Sequence, residues 1–563
     1  MSDARDADVL VVGGGPVGLA LALDLCLRGL TVVLAERRDG VVRAPRMGYI
    51  NPRTMEYCRR WGIAASILRR GWPNYLPRSI HWLTSLTGYK IASLDYPAHD
   101  DLAPLPYTPY GGRRCSQLFF DPLLQERLRA EAGARILLRT EAHDLRSDAA
   151  GVLTTLTQRD TGAVTTVRTR FAVACDGADS PIRAALGIAL LGSAPVRHST
   201  NVVFRSPNIW RFLKHGPAPF NLMVGPSGQW ANLVNFDGDT LWRISLTVSD
   251  PARPFSEAEV KALINRAVGK EVEVELFSVL PWERRDRIAA RFRHGNIFLA
   301  GDAAHIMPPS GGLGMNTGMG DAIDLSWKLA AVVRGWAPDA LLDSYDLERR
   351  PVVLANTSEA VNENSTKVFR LPSGPEICDA GPAGAALRAR LKQEIETNPV
   401  HRLEYEQEAT VLGGGYRRSP LLAAGGADSP GVPDTPPPRR DDRSFVQEIW
   451  LGGRAPHAWL RDGSSTLDSY WDGFALVRAG AAPGDAAELA RAAQAGAIPL
   501  HVHDWSDEAA ATAVIGRRWL LVRPDGHIGW IGAGAPDAAE AARILRAVTG
   551  RNLVTGTNPA APA

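Results

Sequence analysis

The sequence predicts an α/β protein: a Rossmann-like domain built on GxGxxG, an inserted β-sheet domain, and a smaller separate α/β domain at the C-terminus. Three observations predict it. A strand, Asp8 to Val12, runs into Gly13-Gly14-Gly15-Pro16-Val17-Gly18, then a helix, then a second strand ending beside the acid Glu36. Two later apolar runs each end in a turn that pairs an acid with glycine, Asp176-Gly177 and Gly301-Asp302, ahead of a loop or helix start. Between those turns, residues 187–282 are strand-like and aromatic, with alternation from Leu241 to Val248, as in a sheet with one face on a core and one on a cavity.

Bulk properties narrow the function classes. With 563 residues the chain can hold two to four domains. Its 63 basic and 61 acidic residues leave a net charge of +2, which excludes nucleic-acid or membrane-surface binding driven by net charge. Cys26, Cys58, Cys115, Cys175 and Cys378 show no metal-ligand or CxxC spacing, so no metal is expected. Scattered thiols and an N-terminus without a signal-peptide pattern point to a soluble cytoplasmic protein.

Taken in order, the first βαβ unit places Leu19 to Arg28 in a helix and Thr31 to Ala35 in a strand. Glu36 stands 18 residues after Gly18, where a dinucleotide fold keeps its ribose-binding acid. It favours a free 2'-hydroxyl, although Arg37 and Arg38 leave room for a 2'-phosphate. Arg43 to Gly48 is a basic loop containing Arg46, and Pro52 to Gly62 is a helix. Residues 72–110, rich in proline, tyrosine and tryptophan, belong to a different layer. Gln117, ahead of the helical run Phe120 to Ala132, is either a cap neighbour or a cofactor contact. The alternating runs Val152 to Gln158 and Val164 to Thr169 predict an antiparallel meander leading into Asp176-Gly177.

From Arg291 to Trp336 the layout is strand, acidic turn, glycine loop, helix. Ile297 to Ala300 is the strand. His305 to Gly314, with Pro308, Pro309, Gly311, Gly312 and Gly314, cannot be a helix and should bring bare backbone close to a ligand. The helix spans Met315 to Val333, with Met315, Met319, Ile323, Trp327 and Ala331 on one stripe and Lys328 and Arg334 toward its C-terminal end, where cations suit the dipole. Its N-terminal amides favour an anion, and Asp302 could accept hydrogen bonds from a polyol.

Beyond this stretch, helices are expected over Leu341 to Ser365, interrupted at Pro351, and over Ala385 to Thr397. The proline-rich segment 425–442 reads as a linker and residues from Gly556 as a disordered tail. The last domain, 443–554, has strands at Phe474 to Val477 and Trp519 to Val522, helices at Asp485 to Ala495 and Ala538 to Val548, and no cysteine.

The segments GGGPVG, CDGADSPIR and GDAAHIMPPSGGLGMNTGMGDAIDLSWKL, in this order and spacing, resemble the three fingerprints of the group A flavoprotein monooxygenases. Within that phenol hydroxylase and polyketide hydroxylase class, the likeness is strongest to the large hydroxylases of indolocarbazole biosynthesis. It covers essentially the whole chain and implies an FAD-binding domain in parts 1–75, 111–188 and 286–424. A substrate-binding sheet domain would occupy 76–110 and 189–285, and a thioredoxin-like domain without cysteines 443–554.

The resemblance also implies residue roles. Gly13, Gly15, Pro16 and Gly18 would meet the FAD pyrophosphate, with Glu36 and Arg37 at the adenosine ribose. Arg46 would sit near the isoalloxazine and Gln117 near the ribityl or diphosphate. Asp176 and Gly177 belong to a motif tied to the pyrophosphate and to nicotinamide handling. Gly301 and Asp302 would bind the ribityl chain, while Gly312, Gly314, Met315 and Asn316 face the pyrimidine edge. Arg46 and Pro309 would act in catalysis, Pro309 by shaping the oxygen site. Phe204, Phe220, Met223, Trp230, Asn232 and Phe236 would line the substrate pocket, and His305 would be structural. The implied reaction is hydroxylation of an electron-rich phenolic or polycyclic aromatic through a C4a-hydroperoxyflavin, consuming NADPH or NADH and molecular oxygen. The protein would act as a monomer or homodimer, without nucleic-acid or membrane partners. A low-turnover flavoprotein that sequesters a reactive biosynthetic intermediate is the second expectation.

Overall fold

The computed structural model describes residues 5–248, 255–356, 371–403, 405–423 and 445–553. The expected linker, the tail and the end of the Leu341 to Ser365 helix lie outside them. The first sheet runs in spatial order Arg293–His294, Ile297–Leu299, Val164–Ala174, Ala7–Val12, Val32–Glu36 and Ala134–Leu138, with the apolar central strands Ala7–Val12 and Val32–Glu36 buried on both faces. Every pairing from Ile297–Leu299 across to Ala134–Leu138 is parallel. The antiparallel pair Thr140–Asp148 and Gly151–Gln158 extends from the Val164–Ala174 strand. The carboxyl ends of Val12, Ala174 and Leu299 therefore lie side by side, which is where such sheets bind ligands.

The helix Pro16–Leu27 packs on this sheet against the long helix Leu313–Val333. The long helix is buried all round rather than along one stripe. Lys328 consequently does not serve as a solvated dipole cation: its side chain is fully buried between Asp324 and Glu348. Another helix begins at Gln117, three residues earlier than expected, with the Ser116 side chain as its cap. Ser344–Asn356 is helical through Pro351.

The second sheet runs His305–Ile306, Glu275–Ala289, Leu190–Arg205, Leu241–Val248, Gly228–Asn235, Phe220–Gly225, Ile80–Leu83, Lys90–Leu94. The helix Glu257–Val268, not anticipated within the strand-like region, covers one face. Its signal was present as the capping box Ser256 and Glu259 with Gly269 in the left-handed conformation at its end. Pro382–Thr397 packs against the far end of this sheet, through Leu387, Leu391 and Ile395, rather than on the dinucleotide sheet.

The last sheet is ordered Leu500–Trp505, Phe474–Ala479, Arg518–Val522, Ile528–Gly532; the first two strands are parallel and the others antiparallel. It docks on the long helix, where Phe474 meets the stacked pair Trp327 and Trp336 at about 6 Å. Among the described residues, no helix is long and apolar enough to cross a membrane.

Candidate cofactor and substrate site

The first glycine loop has no room for side chains where it crosses its neighbours. Gly13 has φ +110°, and a Cβ there would collide with the Cys175 carbonyl oxygen. A Cβ on Gly18 would collide with the Gly13 carbonyl. Gly15 differs: a Cβ on it would meet no protein atom within 4 Å, so it faces open space. The helix behind it starts at Pro16 with no side-chain cap and no acid in its first turn, leaving its amides to an anion. Glu36 brackets the loop, accepting from the Gly14 amide at 2.6 Å and the Arg38 amide at 2.7 Å. Arg37 is exposed at the strand end.

Next to Gly13, the turn after Ala174 presents Asp176 and Gly177, the latter at φ +94°. Asp176 accepts from the Ile182 amide at 3.3 Å, while its Oδ1 is buried without a partner. Burial raises this carboxyl above its usual range, against the pull of the Ser180 and Ile182 hydrogen bonds.

The third turn, Gly301–Ala303, is held from behind. The Gly301 amide donates to Asp321 at 3.1 Å, and His305 Nε2 and Arg349 also bind that carboxylate, at 2.6 and 2.8 Å. Burial alone would raise Asp321, but His305 and Arg349 hold it low. His305 is thus a fully buried structural residue. Gly318 lets the long helix approach this turn, since a Cβ there would sit 2.6 Å from Val17 and 3.1 Å from the Gly301 Cα. Asp302 stands half-buried at the front. Burial raises its carboxyl, and His305 and Arg46 pull it back down.

The proline-glycine loop contains a short strand at His305–Ile306 and a tight turn at Ser310–Gly312. Gly311 and Gly312 take φ +71° and +64°, which only glycine adopts cheaply. Gly312 caps the long helix, whose first turn again holds no acid. Asn316 spends its side chain on the loop, donating to the Tyr49 and Gly312 carbonyls and accepting from the Asn51 amide. A Cβ on Gly314 would pack on Met307, Met315 is half-buried, and Pro309 is exposed. Gln117 accepts from the Arg46 amide at 2.9 Å and donates to Asp121 at 2.8 Å, so it sets the position of the Arg46 loop.

Strand register divides the proposed substrate residues. Trp242 is paired with Phe204, and both lie in the core under the helix Glu257–Val268 with Met223. Trp230 also points that way, with Arg266 of the helix 4.3 Å from its ring centroid. Phe204, Met223 and Trp230 are therefore packing residues on the wrong face. Phe220 pairs with Val234 and Asn232 with Leu222, on the opposite face, and Phe236 follows the strand. Phe220 and Phe236 pack with Leu118 and Phe119 of the helix behind Gln117, and a Cβ on Gly48 would lie 3.7 Å from the Phe236 ring. Sequence reasoning missed Tyr49, Arg114, Asp121 and Arg243. For Arg243 the signal was a charge within an otherwise apolar alternating strand.

The residues present fit a flavin dinucleotide. Open space before Gly15, the bare oxygen of Asp176 and two helix starts without a side-chain cap converge at the ends of three parallel strands. The comparisons agree. Residues 6–360 match the family model described as FAD binding domain, and residues 448–552 match that described as aromatic-ring hydroxylase, C-terminal. The chain is 31% identical to the FAD-dependent monooxygenase apdD of Emericella nidulans, covering 96% of this chain and 90% of that one. It superposes on the rebeccamycin biosynthetic enzyme RebC with reduced flavin at a TM-score of 0.87 and 35% identity, over 97% and 99% of the two chains. For aklavinone-11 hydroxylase in complex with FAD and aklavinone the values are 0.78 and 28%, over 97% and 99%.

Proposed function

This chain belongs to the FAD-dependent aromatic-ring monooxygenases, and from that premise we propose that it hydroxylates a fused-ring aromatic held on the Phe220, Asn232 and Phe236 face of the second sheet. Bound FAD supplies hydride uptake from NADPH or NADH and activation of molecular oxygen. The convergence of three glycine turns beside this aromatic face carries the reading, because the residues that would hold the redox group lie next to an apolar wall.

Each residue then has a task. The amides following Gly15 hold the pyrophosphate, Glu36 the adenosine ribose and Asp302 the ribityl hydroxyls. Asp176 and Gly177 border the same phosphates. Amides from Gly312 to Asn316 stabilise negative charge at the pyrimidine edge of the reduced ring. Arg46, positioned through Gln117, would stand near the isoalloxazine, and Pro309 would border the oxygen site. Phe220, Phe236, Leu118 and Phe119 keep water away from the reacting atoms. The C-terminal sheet is a thioredoxin-like unit whose lack of cysteine suits it to packing. The chain's five free thiols, all ahead of that unit, suit the protein to a reducing cytoplasm, as monomer or homodimer.

The test is direct. Purified protein should retain FAD, oxidise NAD(P)H faster when a polycyclic phenol is added, and release a product heavier by one oxygen atom. Gly13→Ala should lose flavin retention. Flavin-loaded protein whose NAD(P)H oxidation ignores every aromatic tested would sink the reading.

A further inference from the structure

The segment 405–408 spans from the aromatic face of the second sheet to the proline-glycine loop. At one end the Tyr405 ring meets Phe220 edge-on, with 5.9 Å between centroids and 66° between planes. Two carboxylates pin the segment: Glu406 accepts from the Tyr96 hydroxyl at 2.7 Å, and Glu408 accepts from that of Tyr107. Between them lies Gln407, whose side-chain amide rests on Gly311. A Cβ on Gly311 would stand 2.2 Å from the amide Nε2 and 2.5 Å from Oε1, so this approach requires the glycine, which holds φ +71°. Gln407 Oε1 is buried and has no hydrogen-bond partner among the described residues.

A buried acceptor left without a donor is costly, and Glu406 and Glu408, fixed on either side, hold Gln407 in place. We propose that Gln407 is a substrate-binding residue whose Oε1 accepts a hydrogen bond from a hydroxyl on the aromatic ring held against Phe220. The proposal deepens the hydroxylase reading and rests on it. A neutral amide oxygen accepts a hydrogen bond without taking the proton, so Gln407 selects and positions the hydroxyl and is not the base. With that hydroxyl fixed beside Gly311, the ring carbons next to it, which it makes electron-rich, are the ones brought to the proline-glycine loop.

The probes are 2-naphthol and its methyl ether, 2-methoxynaphthalene, titrated into flavin-loaded protein without NAD(P)H, with binding read from the change in flavin absorbance. 2-Naphthol should bind about tenfold more tightly than the ether. In Gln407→Met the two should bind alike, and Gln407→Glu, which keeps an acceptor, should retain the preference, the melting temperature of each variant serving as the check on folding. If Gln407→Met does not fold, the wild-type comparison decides alone. Equal binding of the two probes by the wild type, absence of binding included, or a preference that survives in Gln407→Met, overturns the assignment. So does a folded Gln407→Met protein whose flavin is lost or altered in absorbance before any ligand is added, because the amide would then serve the cofactor. None of these results touches the hydroxylase reading, which fails separately if the wild type holds no flavin or never couples NAD(P)H oxidation to an aromatic.

Discussion

Two buried charged regions of this molecule are built on opposite plans. At the junction between the long helix and the C-terminal sheet, Arg523 binds Glu348 through both terminal nitrogens, at 2.5 and 2.8 Å, and Asp525 at 2.6 Å. Lys328 binds Asp324 at 2.7 Å and Glu348 at 2.5 Å. Burial alone would raise the Glu348 carboxyl, yet Arg523 and Lys328 hold it well below its usual range. Asp324 is the exception, pushed up to about 8 chiefly by burial, with the neighbouring Glu348 and Asp525 carboxylates adding to the rise. At the flavin face the shifts run toward neutrality: Asp121, Asp176 and Asp302 are raised and Arg243 is lowered, in each case chiefly by burial. A region that satisfies its own charges holds domains together. One that leaves them bare is shaped for what it binds.

The junction should therefore be the more fragile. Arg523→Met leaves the buried Glu348, Asp324 and Asp525 without their shared guanidinium, Lys328 bridging the first two of them, and should cost about 3 to 5 kcal/mol. Denaturant midpoints of the flavin-loaded enzyme would show it. Should the substitution prove neutral, the network is not what joins the two units, and the contrast with the flavin face collapses.

Asp121 gives a smaller effect with a definite pH signature. It is 1% exposed, and burial raises it from 3.8 to about 7, with only the Gln117 hydrogen bond opposing. A raised folded-state value means that the native protein binds more protons than the unfolded chain. This contribution to stability is full below the unfolded value and is lost as pH rises through about 7. Asp121→Asn should remove that slope. Between pH 5 and 8 the wild type should lose about 2 to 3 kcal/mol relative to the variant, by urea titration at both values. Identical pH profiles would mean that Asp121 is not a protonated anchor for Gln117 and the Arg46 loop.

The two regions also differ in how far they could be read from sequence. The glycine turns were legible because each is written in a short stretch of chain: Gly13 and Gly301 sit where the chain leaves a strand, and Gly18 lies in the first turn of the helix that follows. Register is not local. Phe204, Met223 and Trp230 looked like pocket residues because composition does not say which face a strand buries, and a shift of one residue exchanges the faces. The junction was illegible for a stronger reason, since Arg523 and Glu348 are 175 positions apart and only the fold makes them neighbours. Lys328 shows the consequence: helix position suggested a dipole cation, and tertiary packing made it a buried ion-pair partner.

The smallest effect tests the contrast most directly. Arg243→Met exchanges the guanidinium for a shorter apolar side chain and so removes the charge. If Arg243 were paired in the way Arg523 is, the loss would rival that of Arg523→Met. Its Nε instead has no partner, and Arg114 repels it. Ligand-free Arg243→Met should accordingly be as stable as the wild type or more stable by up to about 1 kcal/mol. Differential scanning of both variants beside the wild type compares the signs. A loss of several kcal/mol at position 243 would show that the charge holds the sheet together, and the two regions would then follow one plan rather than two.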